Sequence, residues 1–503
     1  MKTNFIRKWL LAAGLLIVAV SVHAVERGMC GDNLGWTLDR ESGLLVISGQ
    51  GDMAEGFNEG HNFGQYWDVI KTVVIEDGVT SISDYAFASC ANITTVLLPG
   101  GIKTIGNYAF RWCKSLVSIN MPLALKSIGE GAFVECPLTS VAFPEGLGYI
   151  GEGAFRYTKL TSVRLPSSLK NFGNNAFESC YDLTTVVLSE GMETTGEGTF
   201  AGCSKLSSLT LPSTLKEIGS SAFLQCAVQS LSVPEGVTTI GEYAFQNSSL
   251  TMLKLPSTLE SIGGLAFNNC WSLGYVVCLA VNPPTCNGNL PFGYNHYTLA
   301  VPFVALDAYK NASYWNSFQN IIPITVEATI GSTGYSTLFV ADYDLYIPEG
   351  VKAYTGVVMG EWVSLTEVKG KIPAGTAVIL KGAVGNYQFY MTTGAMAVGD
   401  NDLMGITEAI EADGTQYVLA EKDGVVGFYQ AEVGTTIPAG KAYIEYTGAS
   451  VKGFAINFDS ETAIETPTTD NGQQTTGIYD LSGRRVEKAT KGMYIINGKK
   501  VLK

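Results

Sequence analysis

One short phrase returns nine times between Asp84 and Cys270. It reads Ala-Phe at Ala86-Phe87, Ala109-Phe110, Ala132-Phe133, Ala154-Phe155, Ala176-Phe177, Ala222-Phe223, Ala244-Phe245 and Ala266-Phe267, with Thr199-Phe200 as the one variant. Successive Phe residues stand 23, 23, 22, 22, 23, 23, 22 and 22 positions apart. Self-similarity at a period of roughly 20 to 50 residues marks a repeat architecture, in which each unit buries its apolar face against its neighbours. A unit of this length buries too little by itself to offset the cost of ordering its backbone, so the units must stack.

Laid over one another, the units read Ile-Gly-x-x-Ala-Phe-x-x-Cys-x-x-Leu-x-x-Val-x-Leu-Pro-x-x-Leu, seen best from Ile105 to Leu125, where Ile119 and Met121 replace the Val and the Leu. In the second half apolar residues alternate, as in Val163 and Leu165 before Pro166. That two-residue period predicts a short strand ended by a proline that has no N–H for a ladder. In the first half Gly106 is read as freeing a turn, and the spacing of Ala109 and Cys113 predicts that both lie on one side of a single helical turn.

The Ile-Gly-x-x-Ala-Phe-x-x-Cys-x-x-Leu phrase with its Leu-Pro ending resembles the BspA-like leucine-rich repeats of bacterial surface proteins. The resemblance implies a leucine-rich-repeat solenoid of short parallel strands and short helical turns. It also implies an extracellular or outer-cell-surface location, binding or adhesion to proteins or host surfaces, and no chemistry.

The ends of the chain agree with export. Lys2, Arg7 and Lys8 precede an apolar run from Trp9 to Val20, and Val22-His23-Ala24 fits the small-x-small pattern of a signal peptidase site, so cleavage is expected between Ala24 and Val25. No later stretch reaches the ~18 apolar residues of a transmembrane span. The net charge of −14, with no basic patch outside the two ends, argues against nucleic acid as a partner.

Of the ten cysteines, Cys90, Cys113, Cys136, Cys180, Cys203, Cys226 and Cys270 share one slot of the repeat, held by Thr158 and Ser248 in the two remaining units. We read a column of small buried thiols selected for size. A one-dimensional ladder lacks the Cys-x-x-Cys spacing that closes a tetrahedral metal site, so neither metal nor cofactor is expected. Cys278 and Cys286 remain open as a bridge or as free thiols.

The expected organisation is a signal peptide at 1–24, an N-terminal β cap at 25–68, the solenoid at 69–277, a C-terminal cap at 278–325 and an all-β domain at 326–458. Within the second cap a short amphipathic helix is expected over 305–318. In the all-β domain Ile372-Pro373-Ala374-Gly375 is echoed by Ile437-Pro438-Ala439-Gly440, each before an apolar strand, as in a sandwich or barrel. A polar linker at 459–476 leads to a tail at 477–503, whose Tyr479-Asp480-Leu481-Ser482-Gly483-Arg484 and Lys491-Gly492-Met493-Tyr494 resemble the C-terminal sorting segments of type IX secretion in Bacteroidetes, though the tail is shorter than the full sorting domain.

Catalysis finds little support. The mature chain holds two histidines, His61 and His296, far apart in the stack. Glu145 and Glu235 follow Pro in one turn slot as solvated bends, and Asp400-Asn401-Asp402 lacks the Gly and closing Glu of a calcium loop. The outward strand positions form a ladder of Ser and Thr, a flat surface without a pocket, which speaks against a polysaccharide-processing enzyme. Large flat surfaces suit an extracellular protein or a glycan. The residues that stand out as contacts are Arg164, Lys254 and Tyr275 on the strand face and Arg111, Trp112 and Tyr157 on the turn side. The alternative function is a glycan-binding accessory protein acting through the all-β domain.

Overall fold

The computed structural model describes residues 25–54, 63–170, 172–293, 297–447, 451 and 453–457, together with strand segments of the tail at 478–480, 485–486, 493–496 and 499–502. The signal peptide, the linker, His61 and His296 lie outside the described residues. The chain divides into two units, Met1–Ile324 and Thr325–Lys503.

In the first unit the alternating pattern becomes parallel strands. Val25–Gly31, Leu34–Asp39 and Leu44–Gly49 form an antiparallel meander whose last strand pairs in parallel with Thr72–Ile75, and that strand with Thr95–Leu97. The same side of the stack continues through Ser162–Arg164, Thr185–Val187 and Ser208–Thr210. It ends in a five-stranded sheet running from Ser230–Ser232 through Met252–Leu255, Tyr275–Cys278 and Thr298–Val301 to Asn320–Pro323. A second ladder joins the two-residue strands before each Ile-Gly, such as Ser81–Ile82, Thr104–Ile105, Ser127–Ile128 and Tyr149–Ile150.

The third side of each coil is made of tight turns and not of a helical turn. Two residues four apart take left-handed φ in every unit, for example Tyr108 (54°) and Trp112 (62°), or Gly153 (55°) and Tyr157 (60°). Alternate N–H groups then point along the stack: Tyr108, Phe110 and Trp112 donate to the carbonyls of Glu130, Ala132 and Val134 in the next coil. The remaining N–H groups close i→i−3 bonds, as Cys113 does to Phe110. A continuous helix would take all of these donors for itself; the coil shares them, which leaves very little helix in the solenoid. Ala109 and Cys113 nevertheless both face inward and are fully buried.

The Phe side chains form one column. Consecutive rings lie 5.1–5.6 Å apart and within 17° of parallel. The column is longer than the sequence phrase, because Phe63 and Phe292 extend it at either end without a preceding Ala. It is closed edge-on by Trp36 against Phe63 at 87°, and by Phe318 against Phe292 at 68°. Coils in a parallel stack repeat at about 4.8 Å, so equivalent rings must meet face to face with a slight offset, a favourable geometry for aromatic pairs.

The Gly of Ile-Gly is selected for closeness, not for turn conformation. Its φ is not left-handed, and a Cβ on Gly129 or Gly151 would lie 2.5 Å from the backbone N of Asn107 or Glu130 in the preceding coil. The cysteine slot is also more than a size filter. Cys113, Cys180, Cys203, Cys226 and Cys270 each donate Sγ–H to the Phe carbonyl one coil back, at 3.2–3.3 Å. Thr158 and Ser248, which replace Cys, also carry a donor and meet the next thiol in the column at 3.1 Å.

The 23- and 22-residue units differ at one place. Two residues separate Cys from the following apolar residue in the longer coils, as at Cys113 and Leu116 or Cys180 and Leu183, and one separates the slot from it in the shorter ones, as at Cys136 and Leu138 or Thr158 and Leu160. The ring column keeps its register because this exposed corner absorbs the difference.

At the far end the expected helix over 305–318 is broken. A 3-10 turn at Phe303–Ala305 leads into a helix at Leu306–Asn311, and a second 3-10 turn covers Trp315–Ser317 after Tyr314 takes a φ of 68°. Trp315 donates to the Pro284 carbonyl at 2.8 Å, and the Tyr309 hydroxyl donates to the Ala280 carbonyl at 2.9 Å, beside the Cys278 thiol. Cys278 and Cys286 are free thiols.

The second unit is all β. A four-stranded sheet pairs Thr325–Ile330 and Asp344–Tyr346 with Gly385–Thr392, and Asp344–Tyr346 also with Lys371–Ile372. A nine-stranded sheet runs from Tyr335–Leu338 at one edge to Leu403–Gly405 at the other. The Tyr335–Leu338 edge meets the turn that enters Ala442–Glu445: Phe339 N–H donates to Gly440 O at 2.8 Å. The sheet therefore curls around a core of Tyr354, Ile379, Tyr417, Phe428, Ile444 and Phe454. Both Ile-Pro-Ala-Gly echoes form a turn with Gly375 and Gly440 at φ 70° and 76°, entering Val378–Gly382 and Ala442–Glu445. Asn401 and Asp402 accept the N–H groups of Gly356 and Val358 at 3.0 and 2.8 Å, tying their loop to a strand end. The tail strands form a four-stranded antiparallel sheet.

Candidate binding surface

Stacking of like units converts sequence slots into columns. Trp112, Glu135 and Tyr157 occupy one left-handed slot in three successive coils, and Lys114, Pro137 and Lys159 line the corner beside them. Trp112 Nε1–H donates to Glu135 Oε1 at 3.0 Å, and Lys114 pairs with the same carboxylate. These two donors, with Lys114 first, hold the Glu135 carboxyl below the usual carboxylate range. The Arg111 guanidinium lies 3.8 Å over the Trp112 ring and 5.4 Å from that of Tyr108, which stacks in turn on Tyr85. Its Nε is buried without a hydrogen bond. One coil further along, Arg156 forks onto Glu178 and lies 4.9 Å over Tyr157. Tyr157 in turn meets Tyr181 at 6.3 Å.

Lys114, Glu135, Pro137, Tyr157 and Lys159 enclose a shallow groove of about 550 Å³. It falls where two short corners, at Cys136–Leu138 and Thr158–Leu160, lie between the longer corners after Cys113 and Cys180. The missing residues leave the recess. Lys159, on its lining, pairs at 3.5 Å with Asp182, which also receives Lys205 at 2.7 Å.

Of the six residues singled out in the sequence, Arg111, Trp112 and Tyr157 thus share one edge. Arg164 is exposed on the strand face beside Val187. Tyr275 and Lys254 sit on neighbouring strands of the last sheet, where Tyr275 pairs with the exposed Met252 and Lys254 lies between Ser232 and Val277. Lys114, Arg156, Lys159 and Tyr181 were not among them; aligning the turn slots coil by coil, including the one-residue difference, would have placed them in the same patch.

The acidic turn slots have a structural role. Glu145, Glu190 and Glu235 each accept the backbone N–H and the hydroxyl of a serine in the next coil, Ser167, Ser213 and Ser257, at 2.8–3.1 Å. Capping of the neighbouring Ser-Ser or Ser-Thr turn, and not solvation alone, accounts for the Glu-Gly pairs.

Residues 63–184 and 170–281 match the BspA type Leucine rich repeat region, in six copies. The coils are similar to BspA-type leucine-rich repeats. Among solved structures, a leucine-rich repeat protein from Bacteroides ovatus is similar at 22% identity over 58% of this chain and 90% of its own, with a TM-score of 0.39. The leucine-rich repeat protein of T. pallidum is 25% identical over 47% of this chain and 86% of its own, with a TM-score of 0.29. A leucine rich cell surface protein from Faecalibacterium prausnitzii is 21% identical over 52% and 96%, with a TM-score of 0.24. No curated protein matches the chain. Among the described residues no helix is long and apolar enough to cross a membrane.

Proposed function

We propose that this chain is a non-catalytic protein of the cell exterior that binds another protein, in the manner of an adhesin, through the turn edge around Trp112 and Tyr157. The observation that carries this reading is the concentration of aromatic and arginine side chains on that edge. Trp112 and Tyr157 are each 37% exposed and Tyr181 47%, and Trp, Tyr and Arg are the residues that dominate binding energy at protein interfaces. The BspA-type repeats support the same reading, since proteins of this kind are typically protein-binding. The similar F. prausnitzii protein is described as a cell surface protein. In this reading residues 1–24 direct export, 25–68 and 278–325 close the solenoid at 69–277, the 326–458 domain lifts it from the cell, and 459–476 tethers a sorting tail at 477–503.

The test is a screen of the purified chain from Val25 onward against extracellular-matrix proteins by biolayer interferometry, with a glycan array alongside. The expected result is a protein ligand whose affinity falls at least tenfold in the Trp112→Ala/Tyr157→Ala variant while circular dichroism is unchanged. A variant that binds as well as the parent removes this edge from the proposal, and release of reducing sugar from any polysaccharide overturns the non-catalytic part.

A further inference from the structure

The all-β unit has a cavity where the Tyr335–Leu338 edge of the nine-stranded sheet meets the start of Ala442–Glu445. There the ladder is completed by side chains: Ala442 N–H donates to Thr337 Oγ1 at 3.1 Å, and Lys441 Nζ reaches Ser336 Oγ at 3.4 Å. Beside this join opens a cavity of about 420 Å³. Hydroxyls of Thr333, Ser336, Thr435 and Thr436 line it, and Leu419 and Ile437 form an apolar wall. None of its lining residues is acidic.

Lys441 is the one cation among those lining residues. It is half-buried, and burial holds its pKa below the usual lysine value. In a chain of net charge −14, a partly desolvated ammonium that meets only a serine hydroxyl is a costly arrangement. The fold does not require it. The backbone around Lys441 is fixed by Gly440 N–H to Ile406 O at 2.8 Å and Ile406 N–H to Lys441 O at 3.1 Å. In the echoed turn Ile372-Pro373-Ala374-Gly375 the equivalent position is Thr376, buried and neutral, and that turn closes equally well with Gly375 N–H on Val340 O at 2.9 Å. The lysine is therefore surplus to the turn and available to an anion.

We propose that this cavity binds an acidic sugar residue, its carboxylate on Lys441 and its hydroxyls on the surrounding Thr and Ser side chains. The chemistry is that of small-ligand sites in general: a concave, largely apolar cup with a few convergent polar groups that set orientation. One charged anchor in a wet, open cup supports only weak binding, with a Kd on the order of millimolar. This inference does not depend on what the solenoid binds.

Protein-observed 15N TROSY NMR on the full chain tests it with D-glucuronate, D-glucose, acetate and inorganic phosphate as separate probes. The expected result is millimolar binding of glucuronate, with glucose and acetate at least tenfold weaker. Lys441→Gln is expected to weaken glucuronate at least tenfold, and Thr436→Val, which leaves the join intact, severalfold. Acetate or phosphate binding as tightly as glucuronate would overturn the sugar assignment. Absence of glucuronate binding to the unmodified chain, or undiminished binding by a folded Lys441→Gln protein, would overturn the site itself.

Discussion

Phe177 is the sharpest probe of how the solenoid holds together. Its side chain is fully buried, with Phe155 at 5.3 Å and 7° on one face and Phe200 at 5.5 Å and 6° on the other. Phe177→Ala empties a slot that neighbouring coils cannot collapse into without breaking their own ladders, so a loss of about 3–5 kcal/mol is expected. That figure alone does not separate ring stacking from filled volume. A double-mutant cycle with Phe155→Leu and Phe177→Leu does, because each single change keeps most of the volume and removes one face of the pair. The stacking energy of adjacent rings should appear as a coupling of about 0.5–1.5 kcal/mol. The same cycle on Phe110 and Phe223, with four rings between them, should give a coupling within about 0.3–0.5 kcal/mol of zero. Urea unfolding followed by far-UV circular dichroism, at constant m, supplies all eight stabilities. Equal couplings for the two pairs would refute the column as an energetic unit and reduce the rings to space filling.

Further outcomes follow from the inter-coil contacts. Gly151→Ala forces a Cβ to 2.5 Å from the backbone of the preceding coil and should cost about 1–3 kcal/mol, whereas Gly274→Ala, with open space around it, should fall within about 0.5 kcal/mol of the parent in urea unfolding. A thiol-reactive dye should leave the folded chain nearly unlabelled, since burial pushes the Cys90 thiol up to about 12, and should count ten thiols after denaturation without reductant; a count of eight would reveal a Cys278–Cys286 bridge. Ser213 holds the Glu190 carboxyl below its ordinary pKa of 4.5, so its contribution is complete above that pH and fades as pH falls through the lowered folded-state value. Glu190→Gln should therefore lose less stability than the parent on acidification below pH 4.5, and parallel curves of melting temperature against pH would count against the cap.

The strands at each Leu-Pro and the inward Phe column were legible because a repeat compares its own positions: the residues that recur are those the stack touches. Other features left no such mark. Two-residue strands such as Thr104–Ile105 are too short to show a period. The spacing of Ala109 and Cys113 is shared by a helical turn and by the tight turns that form, and only the donation of alternate N–H groups to the next coil separates the two. Phe63 and Phe292 escaped notice because neither follows an alanine. The replacement of Cys by Thr158 and Ser248, and never by Ala or Val, marks a hydrogen-bond donor as well as a small side chain. Half of the candidate surface was visible as unusual residue types. The rest, Lys114 and Lys159 among them, consists of ordinary surface residues that matter only because two short corners bring them around one recess.

That corner between Cys and the next apolar residue separates two kinds of evolutionary freedom. From the first of the nine phrases to the last, the other segments keep one length. At the corner an insertion or deletion changes only the outer contour, raising a ridge or carving a hollow over an untouched interior. A lineage of such proteins can re-sculpt what it presents to its surroundings by single-codon indels at a dozen or fewer permissive points, while the buried scaffold stays the same.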